Sequence, residues 1–112
     1  MPRFVVLEHD HPVLHWDLML EAGEVLRTWR LAQAPNDEAS AIAAEPLLDH
    51  RLAYLDYEGP VSGNRGSVKR WDAGEFVNVG PDTWRFTGQR LRGIARIVRA
   101  EDSWRLERVP AS

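Results

Sequence analysis

Period-two alternation is the feature that most constrains this chain. "LHWDLMLE", Leu14 to Glu21, sends Trp16, Leu18 and Leu20 to one side of an extended strand and His15, Asp17 and Met19 to the other. Similar alternation, or a short β-branched run, recurs in "RFVVLE" (Arg3 to Glu8), "EVLRTWRLA" (Glu24 to Ala32), "HRLAYLDY" (His50 to Tyr57), "GSVKRWD", "EFVNVG", "TWRFTG", "LRGIARIVRA" and "SWRLERV". Gly, Pro, Asn and Asp punctuate these runs, as turns require. Only "NDEASAIAAEPLL", Asn36 to Leu48, reads as a helix: Asn36 or Asp37 can cap it, alanine dominates it and Pro46 ends it. The pattern predicts an all-β, mainly antiparallel fold, a small β-barrel of about eight strands with one or two short helices. "GPVSGNRG", Gly59 to Gly66, reads as the most mobile loop.

With 112 residues the chain is expected to form one domain, 1–112, with a single core. No apolar run approaches the roughly 18 to 20 residues of a membrane span, and "MPRFVVLEHD" has no signal-peptide core, so a cytoplasmic location away from membranes is the expectation; a barrel with paired edges gives no reason for a dimer, and a monomer is expected. The absence of cysteine excludes disulfides, thiolate nucleophiles and Cys-type zinc sites. Any metal must therefore be held by His, Asp or Glu. Residues 1–60 carry 4 Lys/Arg against 11 Asp/Glu, giving −7, whereas residues 61–112 carry 10 against 6, giving +4. Either acidic and basic strands pair across a sheet, or a metal-binding half faces a polyanion-binding half.

"EHDHPVLHWDLMLE" holds three of the four histidines. His15 and Asp17 share a strand face, and a tight connection through "HDHPV" returns the chain antiparallel beside the strand that ends at His9. His9 can then approach His15 and Asp17 across the hairpin, while His11 sits in the turn, exposed to solvent. Two imidazoles and a carboxylate suit Mn²⁺, Fe²⁺ or Zn²⁺ and leave positions open for water or substrate. Surface histidines beside acids are the alternative reading of the same spacing. In "DHRLAYLDYEG", His50 and Tyr54 face one way in an extended segment, with Leu55 and Tyr57 opposite. The pair could orient a phosphate and move a proton, or could be a packed edge aromatic beside a satisfied histidine. The five tryptophans, mostly at alternating strand positions, read as core.

"FVVLEHDHPVLHWDLMLE", then "DHRLAYLDYEG", then "GSVKRWDAGEF" resembles the 3′-phosphoesterase domain of bacterial DNA ligase D, in order and roughly from Phe4 to Val109. The resemblance implies a small β-barrel phosphoesterase, usually carrying manganese, that trims DNA 3′ ends during end repair by removing a terminal ribonucleoside and then the 3′-phosphate. Carried over by position, His9, His15 and Asp17 would be the metal ligands and His50 and Tyr54 the further active-site pair. Mn²⁺ would be the cofactor, with Zn²⁺ or other divalent ions also compatible. The partners would be DNA 3′ ends or primer-templates, with a ligase, polymerase or end-binding protein supplying further contacts.

Three departures concern the same region. Met19 stands where the family has a phosphate-contacting arginine, Leu7 where glutamine is common and Val13 where a basic residue is common. Each removes a polar or cationic group near the expected site, and Met19 removes a charge-assisted phosphate contact. Arg51, Arg65 or the arginines of the C-terminal half are the candidates to compensate. Three functions follow: a phosphoesterase on nucleic-acid 3′ ends, a metal- or nucleic-acid-binding module that has lost turnover, or a phosphoesterase on a small or nucleotide substrate.

Overall fold

The computed structural model describes residues 1–36 and 41–110. Among them nine strands form one antiparallel sheet: β1 (Arg3–His9), β2 (His15–Ala22), β3 (Val25–Leu31), β4 (Ala41–Arg51), β5 (Gly59–Pro60), β6 (Ser67–Gly80), β7 (Thr83–Gly88), β8 (Arg92–Ala100) and β9 (Ser103–Val109). Neighbours follow the order β1-β2-β3-β4-β9-β8-β7-β6, and β6 pairs back onto β1. The sheet thereby closes into an eight-stranded barrel without free long edges. The two-residue β5 only extends the β6 side. The expected all-β barrel is the observed fold.

Alternation sorts the apolar residues into two clusters. Phe4, Val6, Leu18, Leu20, Trp29, Leu31, Ile42, Ala44, Phe76, Trp84, Phe86, Ala95, Ile97 and Leu106 come from all eight barrel strands and fill its interior. The intervening positions Val5, Leu7, Met19 and Leu26 are equally buried, on the outer wall, where Leu55, Val68 and the partly buried Leu52, Tyr54 and Val61 cover them. This explains why β1 reads as an unbroken apolar run: both of its faces are covered. The outer positions continue directly into the polar groups, Val5 and Leu7 to His9, and Met19 to Asp17 and His15.

Three local expectations are corrected. The helix expected over Asn36–Leu48 is not formed in its described part: residues 41–48 belong to strand β4, and residues 37–40 lie outside the described residues. Ile42 and Ala44 point into the core while Ala41, Ala43 and Glu45 are exposed, a strand pattern that alanine's helical propensity disguised. Closing the barrel needs a strand between β3 and β9, and that pairing overrides propensity. Pro46 is tolerated because β4 pairs with β9 only over Ala41–Ala44, so its missing N–H falls beyond that ladder. The segment read as a strand from His50 to Tyr57 instead leaves β4 at Arg51 and forms a 3-10 turn, Leu52–Leu55. "GSVKRWD" and "EFVNVG" are one long strand, β6. Among the described residues no helix is long and apolar enough to cross a membrane.

Candidate metal site

The β1–β2 hairpin builds the site. His9 pairs directly with His15, and Asp17 follows two positions along on the same face. The imidazole rings stand 4.8 Å apart, edge to face. His9 Nδ1 lies 3.7 Å from Asp17 Oδ2, and His15 Nε2 lies 3.3 Å from Asp17 Oδ1. One ligand atom from each residue falls within 4.8 Å of the others. His15 and Asp17 are buried and His9 nearly so.

Backbone carbonyls set both ring tautomers. His15 Nδ1 donates to the Val13 carbonyl at 2.8 Å, which leaves the Nε2 lone pair facing Asp17. His9 Nε2 donates to the Arg65 carbonyl, also at 2.8 Å, which leaves Nδ1 facing Asp17. Three acceptors thus converge with no donor between them. Among the described residues His15 Nε2 and Asp17 Oδ1 are buried without a hydrogen-bond partner, an arrangement that costs free energy in a bare protein. A divalent cation would satisfy all three acceptors at once, and the N₂O donor set with carbonyl-oriented imidazoles fits one. The residues present therefore fit a metal.

The loop expected to be mobile is pinned to this hairpin. Val61 N–H donates to the Gly66 carbonyl, and the Arg65 guanidinium donates to the Ser62 carbonyl at 2.7 Å and to Ser62 Oγ at 3.1 Å. Ser67 N–H reaches Asp10 Oδ1 at 2.8 Å. Gly66 sits at φ +75°, and a Cβ there would overlap the Asp10 carboxylate and His11 Cβ. The tight approach of loop to hairpin holds the Arg65 carbonyl against His9.

Beside His9 and Asp17 opens a cleft of about 220 Å³, whose walls include Met19, Arg30, His50, Tyr54 and Arg65. His50 and Tyr54 do come together, with ring centroids 5.7 Å apart, but through the 3-10 turn rather than along a strand. His50 Nδ1 donates to the Leu48 carbonyl at 2.9 Å, so its Nε2 is the free nitrogen. Among the described residues the Tyr54 hydroxyl has no protein hydrogen bond, whereas the Tyr57 hydroxyl donates to the Pro60 carbonyl. His11 is exposed on the cleft wall and stands outside the three-ligand group. Arg51 lines only an adjoining cleft of about 390 Å³, which Tyr54, Tyr57 and Arg65 share with it.

The basic half, residues 61–112, contributes Val61, Ser62, Arg65 and Val68 to the two clefts. No residue lining either cleft comes from beyond Val68. The C-terminal basic residues turn elsewhere: Arg96 and Arg105 pair with Glu107, and Arg108 donates to the Arg92 and Pro35 carbonyls. The "WDAG" motif is structural as well. Buried Asp72 accepts the backbone N–H groups of Gln89, Arg90 and Leu91 at 3.1, 3.0 and 2.7 Å, closing the β7–β8 turn. At the start of β1, whose far end is His9, the hydrogen bond from the Arg3 guanidinium lowers the Asp56 pKa from the usual carboxylate range, and that of Arg3 is raised in return.

Sequence reading missed Arg30. The signal was present: "AGEV" is a two-residue turn with Gly23 at φ +65°, and the resulting register sets Ala22 opposite Val25 and Asp17 opposite Arg30.

The model of the DNA Ligase D 3′-phosphoesterase domain matches residues 7–108 of this chain. The multifunctional non-homologous end joining protein LigD of Pseudomonas aeruginosa is 30% identical over 110 residues, which cover 87% of this chain and 13% of that protein. The multifunctional non-homologous end joining DNA repair protein LigD of Mycobacterium tuberculosis is 30% identical over 122 residues, covering 95% of this chain and 16% of that protein. The chain thus spans under a fifth of the length of either relative. The matched region contains the three-acceptor cluster, His50, Tyr54 and the structural "WDAG", and the chain belongs to the DNA ligase D 3′-phosphoesterase domain family.

Proposed function

We propose that the protein is a metal-dependent phosphoesterase acting on the 3′ ends of nucleic acid, trimming a 3′-phosphate or a terminal ribonucleotide in end repair. One observation carries the reading: of three clustered acceptors, His9 and Asp17 line a cleft whose wall carries His50 and Tyr54, and His15 is buried against Asp17 behind them. His9, His15 and Asp17 would hold the ion, with Mn²⁺ as first choice. When bound, the ion would neutralise charge on the scissile phosphate and orient a nucleophile. His50, anchored through Nδ1, presents Nε2 to accept a proton or, once protonated, to donate to a phosphate oxygen. The free Tyr54 hydroxyl can donate a second hydrogen bond to the same phosphate. The adjoining cleft, with Tyr57 and Arg51, offers room for the nucleoside side of the ester.

The test is manganese-dependent release of phosphate or nucleoside from a primer-template ending in a 3′-phosphate or a single 3′ ribonucleotide. We expect turnover that is abolished in His9→Ala and lost by about a hundredfold or more in His50→Ala. Met19, apolar and buried in the cleft, favours a second reading, a binding module without turnover. His9-dependent manganese binding with no turnover on either end would establish that reading instead.

A further inference from the structure

We propose that Arg30 supplies the phosphate-directed cation of this cleft, from the strand next to the one on which Met19 has left the site apolar. The inference rests on the phosphoesterase reading. Arg30 lies on β3 directly opposite Asp17, two positions along from the Met19–Thr28 pair, and lines the cleft. Leu26, Thr28 and Arg30 alternate with the interior-facing Trp29 and Leu31, which puts Arg30 on the outer wall with Asp17. Among the described residues its guanidinium has no hydrogen bond and no ion pair. Its Nε is buried without a partner. Glu45, its cross-strand neighbour on β4, makes no ion pair with it.

The competing cations are committed or misplaced. Arg65, which lines the same cleft, is held through Nε and one Nη to Ser62, and Arg51 lines only the adjoining cleft. A planar fork of donors with unsatisfied capacity, at a cleft that His9 and Asp17 also line, is suited to an oxyanion that it can grip through two oxygens. The ligand chemistry is a phosphate monoester or diester. Arg30 acts in binding and in stabilising charge on the phosphate, with no covalent step of its own.

The experiment uses the full chain loaded with Mn²⁺ in a His50→Ala background, which keeps substrate from being consumed. Fluorescence anisotropy compares one labelled oligonucleotide ending in a 3′-phosphate with the same oligonucleotide ending in a 3′-hydroxyl, and inorganic phosphate competes in a parallel arm. Arg30→Gln should reduce the preference for the 3′-phosphate by about tenfold to a hundredfold, and Arg30→Lys should keep an intermediate preference. Manganese affinity, read by electron paramagnetic resonance, should stay within about twofold across the series. Competition by inorganic phosphate that also depends on Arg30 assigns the contact to the phosphate alone, whereas a contact confined to the oligonucleotide assigns it to the ester in its chain. An unchanged preference in Arg30→Gln, or one lost only in step with manganese affinity, overturns the proposal. Phosphate release by the chain carrying His50 separates the two claims. No release, with Arg30-dependent discrimination intact, removes the phosphoesterase reading and leaves the phosphate contact. Full release by Arg30→Gln removes the contact and leaves the reading.

Discussion

Replacing Asp17 by asparagine should raise the stability of the metal-free protein and abolish its response to metal. His15 Nε2 and Asp17 Oδ1 are buried 3.3 Å apart, both acceptors and both unpartnered among the described residues. Asp17→Asn keeps the side-chain shape and can turn an amide N–H toward that ring nitrogen, converting an acceptor–acceptor contact into a hydrogen bond. The gain is about 0.5–1.5 kcal/mol. At about 4 °C per kcal/mol for a domain of this size, the melting temperature in chelator should rise by about 2–6 °C. The wild-type protein behaves in the opposite way: metal at about 100 times its Kd stabilises it by about 2.7 kcal/mol, about 10 °C or more in melting temperature. Circular-dichroism melts in chelator and in saturating Mn²⁺, in mildly alkaline buffer, should therefore cross over, with the variant more stable in chelator and the wild type more stable in metal. A wild-type melting temperature indifferent to Mn²⁺, or a variant that retains the shift, would refute the assignment of these atoms as ligands.

Other consequences follow from the neighbouring contacts. Gly66→Ala places a Cβ on the Asp10 carboxylate and His11 at a positive φ, so it should cost about 2–3 kcal/mol in urea unfolding and weaken manganese binding by displacing the Arg65 carbonyl from His9. Unaltered metal affinity would show that His9 does not depend on that loop. Asp72→Ala removes the acceptor of three backbone N–H groups and should cost about 3–4 kcal/mol while leaving manganese affinity within about twofold; a loss below about 1 kcal/mol would sink the capping role. Because the folded-state pKa of Asp56 is depressed by Arg3, the stability of this tie is present above the unfolded carboxylate pKa and is lost as pH falls through the folded value. Carboxyl chemical shifts should titrate Asp56 below the exposed acids in the wild type and return it to their range in Arg3→Ala.

Much of the site was legible because its parts are close in sequence. A period-two strand puts His15, Asp17 and Met19 on one face whatever the rest of the chain does, and a short return brings His9 opposite His15. The same logic would have found Arg30, had the register of the "AGEV" turn been carried along β3. The rings of His50 and Tyr54 meet, but an extended segment is not what apposes them: the chain enters a 3-10 turn after Arg51. The Ala41–Leu48 stretch was misread because "AIAAE" satisfies helical propensity and strand alternation equally well.

Sequence by itself determined the strand-rich class, the donor types and the facing of residues within each hairpin, since these depend on backbone periodicity and on turns of a few residues. Tertiary structure alone decided what lies between distant segments. Barrel closure drew β4 into the sheet, and the loop at 61–66 brought the Arg65 carbonyl to His9 across 56 positions of chain. It also left Arg30 at the cleft with no partner among the described residues, while Arg96 and Arg105 turned to Glu107 and Arg108 to backbone carbonyls. The physical reason is that alternation is a local property of one strand, whereas which backbone and charged groups meet is settled by the hydrogen-bond demands of closing the whole sheet.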